Sequence, residues 1–229
     1  MTARADRGHG RASRVAVGAL ALGLLAALSW AVLSLPGSFD GLTGPALGRL
    51  SESGVTNPVT AVLLNYRAYD TLLELAVLLL AIAGVWALRR GDWPAGDLHG
   101  RPLVISLLRI ALPLLTLTAG YLLWIGAFAP GGAFQGGAML GAAALLALLS
   151  GRAVCARRHT GALRAGLVLG VLVFAGAAGG AAALTGEILR YPPGDADVWI
   201  LGIEAAAIVS IGLTLGALYL GGRPGDRHA

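Results

Sequence analysis

The stretch Trp124-Ile-Gly-Ala-Phe-Ala-Pro130-Gly-Gly-Ala-Phe-Gln-Gly-Gly137 breaks an apolar run that resumes on its far side. Pro130 stops a helix, and Gly131, Gly132, Gly136 and Gly137 permit positive φ and close backbone approach. Gln135 is the lone polar side chain among them. On each side lies a hydrophobic stretch long enough to cross a bilayer. A phosphate-binding loop would place Lys-Ser/Thr after its second glycine. Gly131 and Gly136 have that spacing, but Gly137-Ala138 stands where the lysine belongs, so nucleotide binding is set aside. Two geometries remain open. One is a plain turn between helices, with Gln135 capping or solvated; the other is a re-entrant break lined by protein or water.

The rest of the chain has the same apolar character. Of 229 residues, 56% are hydrophobic and only 13% charged, with a mean hydropathy of +0.75; soluble domains carry about a quarter charged residues. The class is an all-α polytopic membrane protein. Six membrane helices are expected: Val15–Leu35, a second ending at Leu88, Leu103–Ile125, about Phe134–Leu149, Arg164 to near Leu184, and Val198–Leu220. Val15–Leu35 has no charge over 21 residues, about 31 Å as a helix. That exceeds a signal-peptide core of roughly 7–15 residues, and no small-x-small cleavage site follows, so it reads as a retained first helix. Residues 1–14 read as a disordered basic tail. Pro36–Asn65 reads as a surface loop of weak structure, within which Pro58–Leu64 is too short to cross.

Arginines cluster in the N-terminal tail, in the loops after helices two and four, and in the C-terminal tail; the other loops hold most of the acids. By the positive-inside rule both termini are cytoplasmic and the Pro130–Gly137 turn is external. The formal charge of +5 is scattered between apolar runs, which gives nucleic acid no continuous surface. The single cysteine, Cys155, forms neither an internal disulfide nor a Cys-pair metal site. All four histidines fall in tails or cytoplasmic loops, so no metal or cofactor site within the bilayer is expected.

Ionisable residues inside membrane helices are the stronger functional signal. Arg67, Asp70 and Glu74 are spaced three and four apart and share a face if the second helix begins that early. Arg67 and Asp70 suit an ion pair at the outer edge beside Tyr66 and Tyr69, with Glu74 one turn deeper. Glu204 lies about two turns inside the last helix, in Leu-Gly-Ile-Glu-Ala-Ala-Ala, where an unpaired charge is costly. Arg109 is close enough to the cytoplasmic end of its helix to snorkel. Glycines four apart at Gly137/Gly141, Gly166/Gly170, Gly176/Gly180 and Gly212/Gly216 suit close helix packing in lipid.

Two stretches resemble a known family. Pro130–Gly137 after Gly126, together with Glu204 in the last helix, resembles the B subunit of Mrp-type multisubunit sodium/proton antiporters. Asn57-Pro-Val-Thr-Ala-Val-Leu-Leu-Asn-Tyr-Arg67-Ala-Tyr-Asp70-Thr-Leu-Leu-Glu74 looks like the C-terminal end of the Mrp A subunit, a separate small subunit in membrane-bound hydrogenases. The resemblance departs at Asn65, Ala127 and Ala133, where the family usually has aspartate, histidine and glycine. It implies a fusion: a basic cytoplasmic tail (1–14), a two-helix A-like segment (15–90), a cytoplasmic linker (91–103), a four-helix B-like domain (104–220) and a short tail (221–229). It also implies a non-catalytic inner-membrane subunit whose partners are other subunits of an antiporter or hydrogenase-linked complex, and whose ions are Na+ and H+. Glu74, Glu204 and Asp70 are then candidates for a hydrated acidic site on the ion route, with Arg67 as supporting ion pair and the turn's backbone carbonyls nearby. The alternative is a purely structural subunit, its acids paired with basic residues of a partner.

Overall fold

The computed structural model describes residues 5–35, 41–88, 102–149, 160–192 and 194–220. The arginine-rich segments 89–101, 150–159 and 221–229, with Cys155 and most of the expected linker, lie outside the described residues. The chain forms two compact units, Met1–Leu42 and Thr43–Ala229.

The first unit contains α1 (Ala5–Leu33). Its apolar part, Val15–Leu33, is exposed along its whole length, as suits a helix in lipid. The helix is already formed at Ala5, inside the segment expected to be disordered, because Ala and Arg are good helix formers and extend a helix nucleated downstream.

The second unit is a helical bundle. Its elements are α2 (Thr43–Gly48), a 3-10 turn (Leu50–Glu52), α3 (Pro58–Ala61), a π turn (Val62–Tyr66), α4 (Ala68–Leu88), α5 (Pro102–Ile125), α6 (Ala133–Leu149), α7 (Thr160–Thr185) and α8 (Ala196–Leu220). No strand occurs among the described residues. Helices α1, α4, α5, α7 and α8 are long and apolar enough to cross a membrane. Helix α6 is also apolar, but it has only 17 residues, about 26 Å at the helical rise.

Helix α8 is the centre of the bundle: 56% of its apolar window is buried, against 17% for α4 and 11% for α5. Its stripe Glu204, Ile208, Ile211 and Leu215 follows the i, i+4, i+7, i+11 spacing of one helix face. That stripe lies on the glycine face of α6. A Cβ on Gly136 would strike Ile208, one on Gly137 would come within 2.6 Å of Ile211 Cγ2, and one on Gly141 within 2.8 Å of Leu215 Cδ1. Gly212 returns the fit, 2.7 Å from Leu140 Cβ on the same construction. On the other flank Gly166 and Gly170 face Leu213 and Ser210, and the Ser210 hydroxyl donates to the Leu167 carbonyl at 2.6 Å. Small residues let these backbones approach closely, which gives packing energy where lipid supplies no hydrophobic drive.

Segment 41–67 is no weak surface loop. Ser53, Val55, Asn57, Thr60, Ala61 and Leu64 are buried in it. Asn57-Pro58 opens α3 as an N-cap followed by proline at N1, the Asn57 side chain accepting from the Val59 N–H at 3.1 Å. The π turn closes with the Arg67 N–H on the Val62 carbonyl at 2.7 Å. Thr71 then donates its hydroxyl to the Leu63 carbonyl, also at 2.7 Å, satisfying a group that the break sets free. Long-range polar contacts supply the burial that local pattern cannot show. The Tyr191 hydroxyl, from the α7–α8 connection, donates to the Leu64 carbonyl at 3.0 Å. Burial pushes that phenol's pKa up.

Candidate ion site at the glycine turn

The connection from α5 to α6 occupies residues 126–132 and is a tight turn. Phe128 and Ala129 donate their N–H groups to the Ile125 carbonyl at 2.8 Å, closing the end of α5. The chain then doubles back, so that the Gly132 N–H reaches the Leu122 carbonyl at 2.8 Å. Helix α6 therefore starts level with Leu122, about 4.5 Å back along α5 at 1.5 Å per residue. Gly132 makes the reversal with φ of +103°, a conformation open to glycine and strained for other residues.

The turn is clasped by the start of α3. The Asn57 amide donates to the carbonyls of Gly126 at 3.0 Å and Ala129 at 2.8 Å. The Thr60 hydroxyl donates to Gly126 at 2.5 Å. The backbone N–H groups of Thr56 and Asn57 both donate to the Ala127 carbonyl, at 3.1 and 3.0 Å. The carbonyls of Gly126, Ala127 and Ala129 are thus already taken, and they are not the open cation ligands expected of a glycine turn.

What the turn presents instead is the N-terminus of α6, and Glu204 lies against it. Glu204 is only 5% exposed, and its Oε1 accepts from the Ala133 N–H at 3.3 Å. A Cβ on Gly132 would stand 2.7 Å from the same oxygen. Ala133 is the only hydrogen-bond donor to this carboxylate among the described residues. The unpaired N–H groups and the dipole of a helix N-terminus favour negative charge. Among the described residues the site therefore holds a buried carboxylate with one backbone donor and no basic side chain bonded to it.

The other acids lie elsewhere. Arg67 and Asp70 form an ion pair at 2.5 Å, with side chains 67% and 46% exposed. Asp70 and Glu74 line an open groove of about 680 Å³ together with residues of α6 and α8. Glu204 does not line that groove, and no three His, Cys, Asp or Glu side chains converge among the described residues. Gln135 and Pro130 are exposed, whereas Gly132, Gly136 and Gly137 are buried. Arg109 is exposed on α5. Asn57, Thr60 and Tyr191 are the site's supports that sequence reasoning passes over. The Asn-Pro cap is the one local signal for them.

Residues 103–220 match the family of domains related to the MnhB subunit of a Na+/H+ antiporter, over just more than half of the chain. The chain belongs to that MnhB-related family. Residues 9–103 match a second family, that of the MBH protein MbhE. No curated protein sequence matches. Among solved structures, the MnhB-related chain is similar to one in the Mrp complex from Dietzia sp. DQ12-45-1b, at 26% identity and a TM-score of 0.59, over 95% of this chain and 26% of that one. It spans about a quarter of that longer chain. It also shares its fold with a chain of the membrane-bound sulfane sulfur reductase, an archaeal respiratory membrane complex, at 24% identity and a TM-score of 0.65, over 91% and 97% of the two chains. The MnhB-related match contains both the turn and Glu204, and the MBH match contains Asn57, Thr60, Asp70 and Glu74. The hydrogen bonds around Gly126 therefore join the two matched regions.

Proposed function

We propose that this chain is an integral-membrane subunit of a multisubunit cation/proton antiporter, or of the equivalent membrane module of a respiratory or hydrogenase complex, and that Glu204 stands on its ion route. The supporting observation is that Glu204 of α8 is a carboxylate buried against the N-terminus of α6. An intramembrane acid is expensive, and a protein that only spans has no use for one. Carboxylate oxygens suit Na+ as well as H+, both hard cations. Asp70 and Glu74 supply a second acidic station in the groove, and Arg67 orients Asp70. Pro130, Gly131, Gly132, Gln135, Gly136 and Gly137 form the turn that sets α6 against Glu204.

In this reading the protein is not an enzyme, and its partners are the other subunits of the complex in a bacterial or archaeal inner membrane. The topology is six spans, α1, α4, α5, α6, α7 and α8, with both termini cytoplasmic. Residues 15–90 form the A-like segment and 104–220 the B-like domain.

The test is cation-driven proton movement in everted vesicles carrying the whole complex. Glu204→Gln keeps an acceptor for the Ala133 N–H but cannot ionise, and transport is expected to fall at least about tenfold with assembly intact on a native gel. Full transport by both Glu204→Gln and Glu74→Gln would sink the proposal. Loss of assembly with normal turnover in the surviving complex would make these acids structural.

A further inference from the structure

Which cation a carboxylate can hold depends on the other oxygens beside it. Glu204 Oε1 accepts from the Ala133 N–H at 3.3 Å, and its neighbours Ile203, Ala207 and Ile208 on α8 are apolar and buried. The backbone of the adjoining turn is engaged elsewhere. The carbonyls of Gly126 and Ala129 take the Asn57 amide, and that of Ala127 takes the Thr56 and Asn57 N–H groups. The Gly132 carbonyl takes the Gly136 N–H at 3.0 Å. One further side-chain oxygen comes near. Gln135 Oε1 stands 3.9 Å from the point where a Cβ on Gly132 would lie, and Glu204 Oε1 stands 2.7 Å from the same point.

A hard metal cation such as Na+ is bound by a cage of several oxygens. At Glu204 it would meet few of them. It would also lie at the positive end of the α6 dipole, against an N–H group aimed at the carboxylate. A proton needs one oxygen. It bonds to Oε2 while Oε1 keeps the Ala133 N–H, so the side chain changes charge without losing its bonded donor. No ionisable side chain is bonded to Glu204 among the described residues. Helix α6 carries none. Arg109 and Tyr121 of α5, Arg164 of α7 and Asp197 of α8 are exposed. Asp70 and Glu74 of α4 line the groove that Glu204 does not, and Arg67 is held by Asp70. The Tyr191 hydroxyl is given to Leu64.

We infer that the cation Glu204 takes up is a proton and not Na+, so that the sodium of an antiport cycle crosses at other groups of the complex. The inference rests on the ion-route reading of Glu204 and narrows it to one ion.

The experiment is modification by dicyclohexylcarbodiimide, which reacts with protonated carboxyls in apolar surroundings, in native membranes holding the whole complex. Adduct at Glu204 is measured by mass spectrometry across a pH series, in Na+ and in choline. The yield is expected to fall as pH rises and to stay the same when Na+ replaces choline. Protection by Na+ at fixed pH would overturn the inference and leave the ion-route reading standing, since cations competing for one site weaken each other reciprocally. Transport by Glu204→Asp is the second measurement. Its pH profile is expected to shift while half-saturating Na+ stays within about twofold of the parent. A raised Na+ requirement with an unmoved pH profile would overturn the inference as well. Full transport by Glu204→Gln would sink both the inference and the reading beneath it.

Discussion

Glu204 and Ala133, 71 residues apart in sequence, are joined by a hydrogen bond of 3.3 Å from the Ala133 N–H to Oε1. The bond makes the first residue of α6 the partner of the one acid buried in α8, so the turn and the carboxylate behave as a unit.

Replacing the acid separates its charge from its packing. Glu204→Gln should melt within a degree or two of the parent complex in detergent. Glu204→Ala leaves a cavity and strips the Ala133 N–H of its acceptor, so a loss of about 2–4 kcal/mol is expected, seen as a clear drop in melting temperature. Equal melting of the two variants would contradict the geometry.

Gly132→Ala should damage the same site from the other side. The residue combines φ of +103° with a Cβ position 2.7 Å from Glu204 Oε1. Strain of about 1–3 kcal/mol is expected in the folded chain. Transport should fall in parallel, because the carboxylate must move to make room.

Asn57→Ala removes both amide bonds to the turn, and Thr60→Val removes one while nearly keeping its volume. The expected costs are about 1–3 kcal/mol and about 1 kcal/mol. Hydrogen–deuterium exchange checks this directly. Amides at 126–132 should exchange faster in both variants, while those in the middle of α7 stay unchanged.

The glycine seam gives a paired comparison. Gly137→Ala would press on Ile211 Cβ and Cγ2, which lie next to the backbone and cannot swing away. A Cβ on Gly176 meets nothing within 4 Å. Gly137→Ala should destabilise by about 1–3 kcal/mol, whereas Gly176→Ala should be neutral or stabilising by up to about 1 kcal/mol through helix propensity.

Tyr191 predicts an alkaline limit. Burial raises its phenol above the ordinary value of 10.0, so the folded chain holds that proton after the unfolded chain has lost it. The associated stability is fully present below pH 10 and is lost as pH rises beyond it. Melting temperature should therefore fall more steeply above pH 10 in the parent than in Tyr191→Phe, which should lose about 1 kcal/mol at neutral pH for its missing bond to Leu64.

Much of this is legible in the chain. Long uncharged runs mark helices without tertiary help, so α5, α7 and α8 begin and end within a few residues of expectation. Glu204 and the Pro130–Gly137 turn are each visible as anomalies in apolar surroundings. Their union is not, because nothing local ties residue 133 to residue 204. Segment 41–67 passes for a loop for the same reason. It has no helical period, and its order comes from Ala127, Gly126 and Tyr191, 60 or more residues away. The expected start of α6 is nearly right, but the backward step to Leu122 needs the Gly132 reversal in three dimensions.

The position of α8 also bears on how the protein is made. The most buried helix of the bundle is translated after α4, α5, α6 and α7, the helices that pack on it. Until it enters the membrane, the glycine face of α6 has no Ile208, Ile211 or Leu215 to receive, and the first turn of α6 has no Glu204 to hold. Assembly of the bundle therefore waits on α8, and a ribosome that stops short of residue 196 releases helices without their common partner.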